Sequence, residues 1–164
     1  MKRYGRALTG IAVMAMLLVS GCKQSMVISD VNYSQPIESV LTPDEDGIVK
    51  DERYGLEFNM LPLQYMETQD TTSVTTSEVR YIRGASGWFY ITAPTYQHVY
   101  LMAPEKNELV FREKFKIGET GFDKPAFNQR DGFIQLVNRS TGESYRLTPE
   151  GLEEEGLTTN TEDQ

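Results

Sequence analysis

The chain has 164 residues, 24 acidic against 16 basic, with a net charge of −8, one histidine and one cysteine. That acid excess opposes binding to nucleic acid, which calls for basic patches. A lone cysteine excludes an internal disulfide, and the length suits one folded domain and not two.

The first elements concern address. Lys2, Arg3 and Arg6 precede a run from Ala7 to Val19 that is apolar except for Thr9 and Gly10. Such a run is too short to span a bilayer and suits the apolar core of a signal peptide. It ends in Val19-Ser20-Gly21-Cys22, which resembles the lipobox of bacterial lipoproteins. The resemblance covers residues 1–22. It implies a signal peptide over residues 1–21, a diacylglyceryl group on the Cys22 thiol, cleavage just before Cys22, and acylation of the new amino group. Several acyl chains would hold the mature chain on a membrane at about 0.8 kcal/mol per buried CH₂. Lys23 stands where an Asp would, in that family, retain the protein at the inner membrane, so the resemblance implies the periplasmic face of an outer membrane. A surface-displayed lipoprotein or a Gram-positive one would leave the same trace, and the alternative is an ordinary secretory signal with an incidental cysteine. Loss of three positive charges with the signal would take the net charge from −8 to −11.

All seven Phe and the single Trp lie between Phe58 and Phe133. This concentration predicts a β-rich globular domain over residues 51–149, a flexible tether over 22–50 and an acidic disordered tail over 150–164. Within the tether, Thr42-Pro43-Asp44-Glu45 suggests one helical turn. Asp44-Glu45-Asp46-Gly47 looks like part of a calcium loop. Aligning Gly47 with the invariant EF-hand glycine, however, puts Thr42 and Arg53 at two ligand positions, so an acidic solvated turn is the better reading.

In the body, Tyr54, Leu56, Phe58 and Met60 alternate with polar residues and Gly55, a period-two pattern that predicts a strand stopped by Pro62. Residues 68–77 are rich in Ser and Thr and read as an exposed loop or a polar edge strand. Val79 and Tyr81 begin the next strand, and Gly84-Ala85-Ser86-Gly87 reads as a turn. Trp88-Phe89-Tyr90-Ile91 lacks alternation, which predicts a strand covered on both faces. Residues 99–102 form another strand and 104–107 a turn. Leu109, Phe111, Phe115 and Ile117 then form one alternating face, with Glu113 as an exception. Residues 133–137, 139–142 and 145–147 form a hairpin. It echoes the preceding hairpin at an offset of 35, Val99 falling on Ile134 and Leu101 on Leu136. A propeller would need more residues, so the expected fold is all-β, a small antiparallel meander, sandwich or barrel. Thr148-Pro149-Glu150 offers a weak helix start that Gly151 disfavours.

Chemistry is sparse. With Cys22 lipidated no thiol remains for catalysis or thiolate metal binding, and His98 alone gives no metal site of the usual type. Ser86 and His98, with Asp123 or Asp131, form an imaginable nucleophile and base, yet residues 84–87 lack the G-x-S-x-G elbow and no phosphate loop occurs. Paired carboxylates for glycoside hydrolysis carry no fixed spacing and stay open. No cofactor is indicated. The candidate binding surface is the cluster Trp88, Phe89, Tyr90, Tyr96, His98 and Tyr100, which would stack on sugars or anchor a protein interface if exposed, and would be core if buried. Ala85-Ser86-Gly87-Trp88-Phe89-Tyr90 is similar to the loop of the lysozyme-inhibitor lipoproteins, small β-barrels whose usual cysteine pair this chain lacks.

These features give two expectations. One is a lipid-anchored, non-enzymatic module that binds or helps assemble an envelope protein partner. The other is a carbohydrate- or peptidoglycan-directed protein, either a binder, a lysozyme inhibitor or a hydrolase.

Overall fold

The computed structural model describes residues 37–106 and 108–155. The lipobox, Cys22, most of the expected tether and the end of the expected tail lie outside them.

Among the described residues are eleven strands and one helix: β1 (Ser39–Leu41), β2 (Ile48–Asp51), β3 (Leu56–Asn59), α1 (Leu61–Thr68), β4 (Val79–Arg83), β5 (Phe89–Thr92), β6 (His98–Glu105), β7 (Glu108–Lys116), β8 (Pro125–Arg130), β9 (Phe133–Asn138), β10 (Ser144–Thr148) and β11 (Gly151–Glu155). All pairings are antiparallel. A five-stranded sheet runs β1-β4-β5-β6-β7, a four-stranded sheet runs β11-β10-β9-β8, and β2-β3 make a separate ribbon. The fold is therefore all-β, as the sequence indicates, and its sheets do not close into a barrel.

Two apolar cores explain the layering. Ile82, Tyr90, Leu101 and Phe115 from the large sheet meet Phe127, Leu136 and Leu147 from the small one. The opposite face of the large sheet offers Val79, Tyr81, Ile91 and Tyr100 to Val49 of the ribbon and to Met60 and Leu63 at α1. A sheet covered on both faces needs apolar residues at successive positions. That requirement explains β5, whose four residues are all buried. The 35-residue echo has a related cause, since Val99, Leu101, Ile134 and Leu136 all enter the sandwich core.

Several expectations need correction. β1 and the first three residues of β2 fall inside the stretch expected to be tether, so the folded body begins well before residue 51. Each is only three or four residues long, and their main anchors are polar, which hides them from a reading of apolar periodicity. Asp51 is buried and accepts hydrogen bonds from Ser39 Oγ at 2.6 Å, Tyr81 Oη at 2.8 Å and the Arg53 amide at 2.9 Å, tying β1, β2 and β4 together. Glu38 next to β1 accepts from the Phe127 amide of β8 at 2.9 Å and from Arg80 Nη1 of β4 at 3.1 Å, joining the two sheets. β11 likewise lies in the expected tail, where Leu152 packs on the sandwich core opposite Leu147.

Residues 42–45 form no helical turn. Asp44 Oδ1 accepts from the amides of Asp46 at 3.1 Å and Ile48 at 2.8 Å, and such local bonds compete with the helix. Pro62 does stop β3, and it also sits in the first turn of α1, where a missing N–H costs nothing. Residues 69–77 form a loop, with Thr68 still in α1, and the loop is held by the buried Gln64 amide, which donates to the carbonyls of Asp70 at 3.0 Å and Ser73 at 2.7 Å and accepts from the Thr75 amide at 2.9 Å. Thr148-Pro149-Glu150 leads into a turn between β10 and β11.

Glu113 is explained by a register shift. Leu101 pairs with Glu113 whereas Met102 pairs with Phe111, so Arg112 is an extra residue in β7. One bulged residue reverses the side-chain alternation. Phe115 and Ile117 consequently enter the sandwich core, and Leu109 and Phe111 turn to the opposite face.

Candidate functional site

That opposite face is incompletely covered. The ribbon and α1 lie over part of the large sheet and leave a groove of about 800 Å³ above β5, β6 and β7. Gly55, Leu56, Glu57, Phe58 and Asn59 line one wall in unbroken succession. Residues of both parities line a cavity together when a strand presents its edge, so β3 meets the groove edge-on. Pro62, Leu63 and Met66 continue this wall along α1. The floor is apolar: Phe89, Ile91, Met102, Leu109 and Phe111. Leu56, Phe58, Met66, Met102 and Leu109 are only partly buried there, and Phe111 is 42% exposed. Lys106 and Glu108 stand at the rim. A smaller cavity of about 110 Å³, lined by Ile37 and Tyr54 among others, shares Leu56 and Phe89 with the groove.

Shape and chemistry suit an apolar occupant. Met66 and Met102 offer thioethers on unbranched, adaptable side chains. The arrangement holds no positioned nucleophile and base, and among the described residues no three His, Cys, Asp or Glu side chains are grouped to hold a metal ion.

The residues singled out in the sequence are placed elsewhere. Phe89, Tyr90, Tyr96 and Tyr100 are buried and divide between the two faces of the large sheet: Tyr90 is in the sandwich core, the other three in the second core. Trp88 is half-buried against the sandwich core. The cluster is thus no continuous surface, because adjacent residues of β5 point to opposite faces. Of its members, Phe89 alone lines the groove.

His98 does have a partner that the sequence concealed. Its Nδ1 lies 3.0 Å from Glu67 Oε1, which also accepts from Tyr100 Oη at 2.6 Å, while Glu67 Oε2 accepts from the Gln97 amide at 2.9 Å. This constellation fastens the end of α1 to β6. Burial pushes the Tyr100 and Tyr96 hydroxyls far above the usual phenol range, with the Glu67 carboxylate adding to the effect. Tyr90 is pushed up to about 12, again chiefly by burial. The Tyr96 hydroxyl is buried with no hydrogen-bond partner among the described residues.

Ser86 is not joined to His98. It lies exposed in the turn before β5, whereas His98 opens β6 beyond the other end of β5. Asp123 and Asp131 are exposed, and the carboxylate at the imidazole is Glu67. The turn of residues 84–87 is closed by the Gly87 amide on the Gly84 carbonyl at 2.9 Å and the Gly84 amide on the Trp88 carbonyl at 2.8 Å.

The groove itself was missed by sequence reading. Its signal was the Glu113 exception, which marks the bulge that turns Leu109 and Phe111 outward. No helix among the described residues is long and apolar enough to cross a membrane. Comparison with protein-family models, with characterised proteins and with solved structures gave no match.

Proposed function

We propose that this chain is a non-enzymatic binding module of the bacterial envelope, anchored to the periplasmic face of an outer membrane through lipidated Cys22, and that its groove receives a protein partner. The observation that carries this reading is the open apolar groove floored by Met102, Leu109 and Phe111. Isolated exposed apolar residues are ordinary on a protein surface, whereas a contiguous concave set marks a place where something binds. Two nearby features support a protein occupant over a sugar. The aromatic residues there are not arranged as an exposed stacking platform, and the adjacent β3 edge offers backbone groups to a peptide.

The test is chemical crosslinking of the tagged, lipidated protein in its own envelope, then detergent extraction and affinity isolation. Phe111 is already part-exposed, so Phe111→Glu should leave the fold intact and place a charge on the groove floor. A stoichiometric protein that is isolated with the native chain, and falls at least tenfold with Phe111→Glu, is the expected result. Equal recovery with both chains, or covalently attached glycan in place of protein, overturns the proposal. Cys22→Ala should block acylation and leave uncleaved precursor in a mass measurement, and normal processing of that variant would defeat the lipobox reading.

A further inference from the structure

We infer that the partner enters the groove as an extended segment and pairs, strand to strand, with the outer edge of β3. The inference rests on the protein-binding reading above and specifies its mode.

The β2-β3 register shows which backbone groups are available. Ile48 pairs with Asn59, Val49 with Phe58, Lys50 with Glu57 and Asp51 with Leu56. One step beyond, the Met60 amide donates to the Gly47 carbonyl at 2.9 Å. In an antiparallel ladder hydrogen-bonded and non-hydrogen-bonded pairs alternate. Met60, Phe58 and Leu56 therefore direct their backbone groups toward β2, and Glu57 and Asn59 direct theirs to the other side. Among the described residues no strand pairs with that side, and it is the side that the groove exposes.

An added strand would lie about 4.8 Å from β3, over the outer strands of the large sheet. Its alternate side chains would point down onto Met102, Leu109 and Phe111, completing a cover that the two-stranded ribbon leaves unfinished. Main-chain bonds supply affinity in this mode and alternate side chains supply specificity. The fitting segment has two apolar residues at i and i+2 facing the floor. Its outward residue opposite Glu57 is Lys or Arg, because opposite charges stabilise cross-strand neighbours and the Lys50 that now meets Glu57 at 3.3 Å is itself exposed and loosely held. A second copy fits worse: pairing of two β3 edges about a two-fold axis would bring their Glu57 side chains together, and both chains are strongly acidic.

The test places a photoreactive benzoylphenylalanine at Phe111 of the full lipidated chain in its own cells. On irradiation the expected adduct joins Phe111 to one extended segment of another protein carrying the alternating apolar and basic pattern. Glu57→Pro removes an outward N–H that β2 does not use, and proline is tolerated at such an edge; Glu57→Thr retains it. The adduct should fall at least tenfold further with Glu57→Pro than with Glu57→Thr, which loses the same carboxylate but keeps the N–H. Hydrogen exchange on the isolated adduct reads the same ladder without a backbone substitution: the Glu57 and Asn59 amides should slow at least tenfold relative to the free chain. A protein adduct with unchanged exchange at both amides overturns strand pairing while leaving the binding reading intact. An adduct to residues 22–36 of the same chain or to a second copy overturns the choice of occupant. No adduct at all, when a benzoylphenylalanine elsewhere on the surface reacts, overturns the binding reading itself.

Discussion

Replacing Asp51 by Asn tests the account of how the early strands hold. The Asp51 carboxylate is 4% exposed and every group around it donates: Ser39 Oγ, Tyr81 Oη, the Arg53 amide and, at 3.4 Å, Arg53 Nη2. Burial alone would raise its pKa, but the bonds from Ser39, Tyr81 and Arg53 outweigh burial and hold it below the usual carboxylate range. Hydrogen bonds to a charged acceptor contribute roughly 1.5–3 kcal/mol each against about 1 for neutral ones. Asn keeps one acceptor oxygen and turns an amide toward hydroxyls that must rotate to receive it, so the loss should be about 2–4 kcal/mol, or a fall in Tm of roughly 10–15 °C. The sign of the pH dependence follows from the lowered pKa. The native advantage is fully present above the unfolded-state value of about 3.9 and is lost as pH falls through the lower folded value. Denaturant unfolding of the native chain and of Asp51→Asn should therefore show a stability gap that is constant from about pH 5 to 7 and closes below about pH 4. Other carboxylates titrate alike in both proteins and cancel. A gap below about 1 kcal/mol at neutral pH, or one that does not change with acid, would refute the reasoning.

Three further outcomes follow. Gln64→Ala removes a hydrogen bond from each of three backbone groups of the 70–75 loop, of which the Asp70 carbonyl keeps the Thr68 hydroxyl at 3.2 Å; stability should fall by about 2–3 kcal/mol, and the Thr75 amide should exchange faster well before the sheets do. Gly121 has φ +70°, and a Cβ there would stand 2.2 Å from the Tyr96 carbonyl oxygen and 2.6 Å from that of Thr95. Gly121→Ala should thus cost more than about 3 kcal/mol, whereas Gly142→Ala, at φ +80° with open space around it, should cost only about 1–2 kcal/mol in the same unfolding assay. Tyr81, Tyr96 and Tyr100 have raised pKa values, mainly through burial. Their stabilisation is present below the unfolded value of about 10 and is lost as pH rises, so their ionisation by ultraviolet absorbance should coincide with alkaline unfolding and not precede it.

The sandwich was legible because its strands are long enough, and apolar enough, to declare a period. β4, β5, β6, β9 and β10 all fell where runs such as Phe89-Tyr90-Ile91 indicate. β1, β2 and β11 were not legible, since each is short and held by features without a period: Ser39 on Asp51, Glu38 on the Phe127 amide, one leucine at 152. β8 was passed over between glycine-containing loops. α1 escaped because its N-cap is Met60, which forms no side-chain cap, and Pro62 reads more readily as a stop than as a start. Of the candidate surface, the aromatic residues were legible as a cluster, but which face each takes depends on strand neighbours that a single sequence does not display. Glu67 lies 31 residues from His98, so their meeting follows only from α1 crossing the start of β6.

The groove and the core have one origin. With regular alternation along β7, Leu109 and Phe111 would share the face of Phe115 and Ile117, and the sandwich would receive four apolar side chains from that strand and the residue that follows it. The extra residue at Arg112 divides them, two to each face. The division has a cost, because Phe111 then stands 42% exposed on an edge strand, the kind of position that natural sheets ordinarily protect. Charged residues do protect the rest of that edge: Arg112 pairs with Glu105, and Glu113, Lys114 and Lys116 follow. Leu109 and Phe111 are the apolar stretch of β7 that those charges leave uncovered on the groove side, and the proposed partner would cover it. β7 and β3 each leave one backbone edge unpaired among the described residues, and it is β7 whose edge carries Arg112, Lys114 and Lys116, which is why the strand pairing proposed above is assigned to β3.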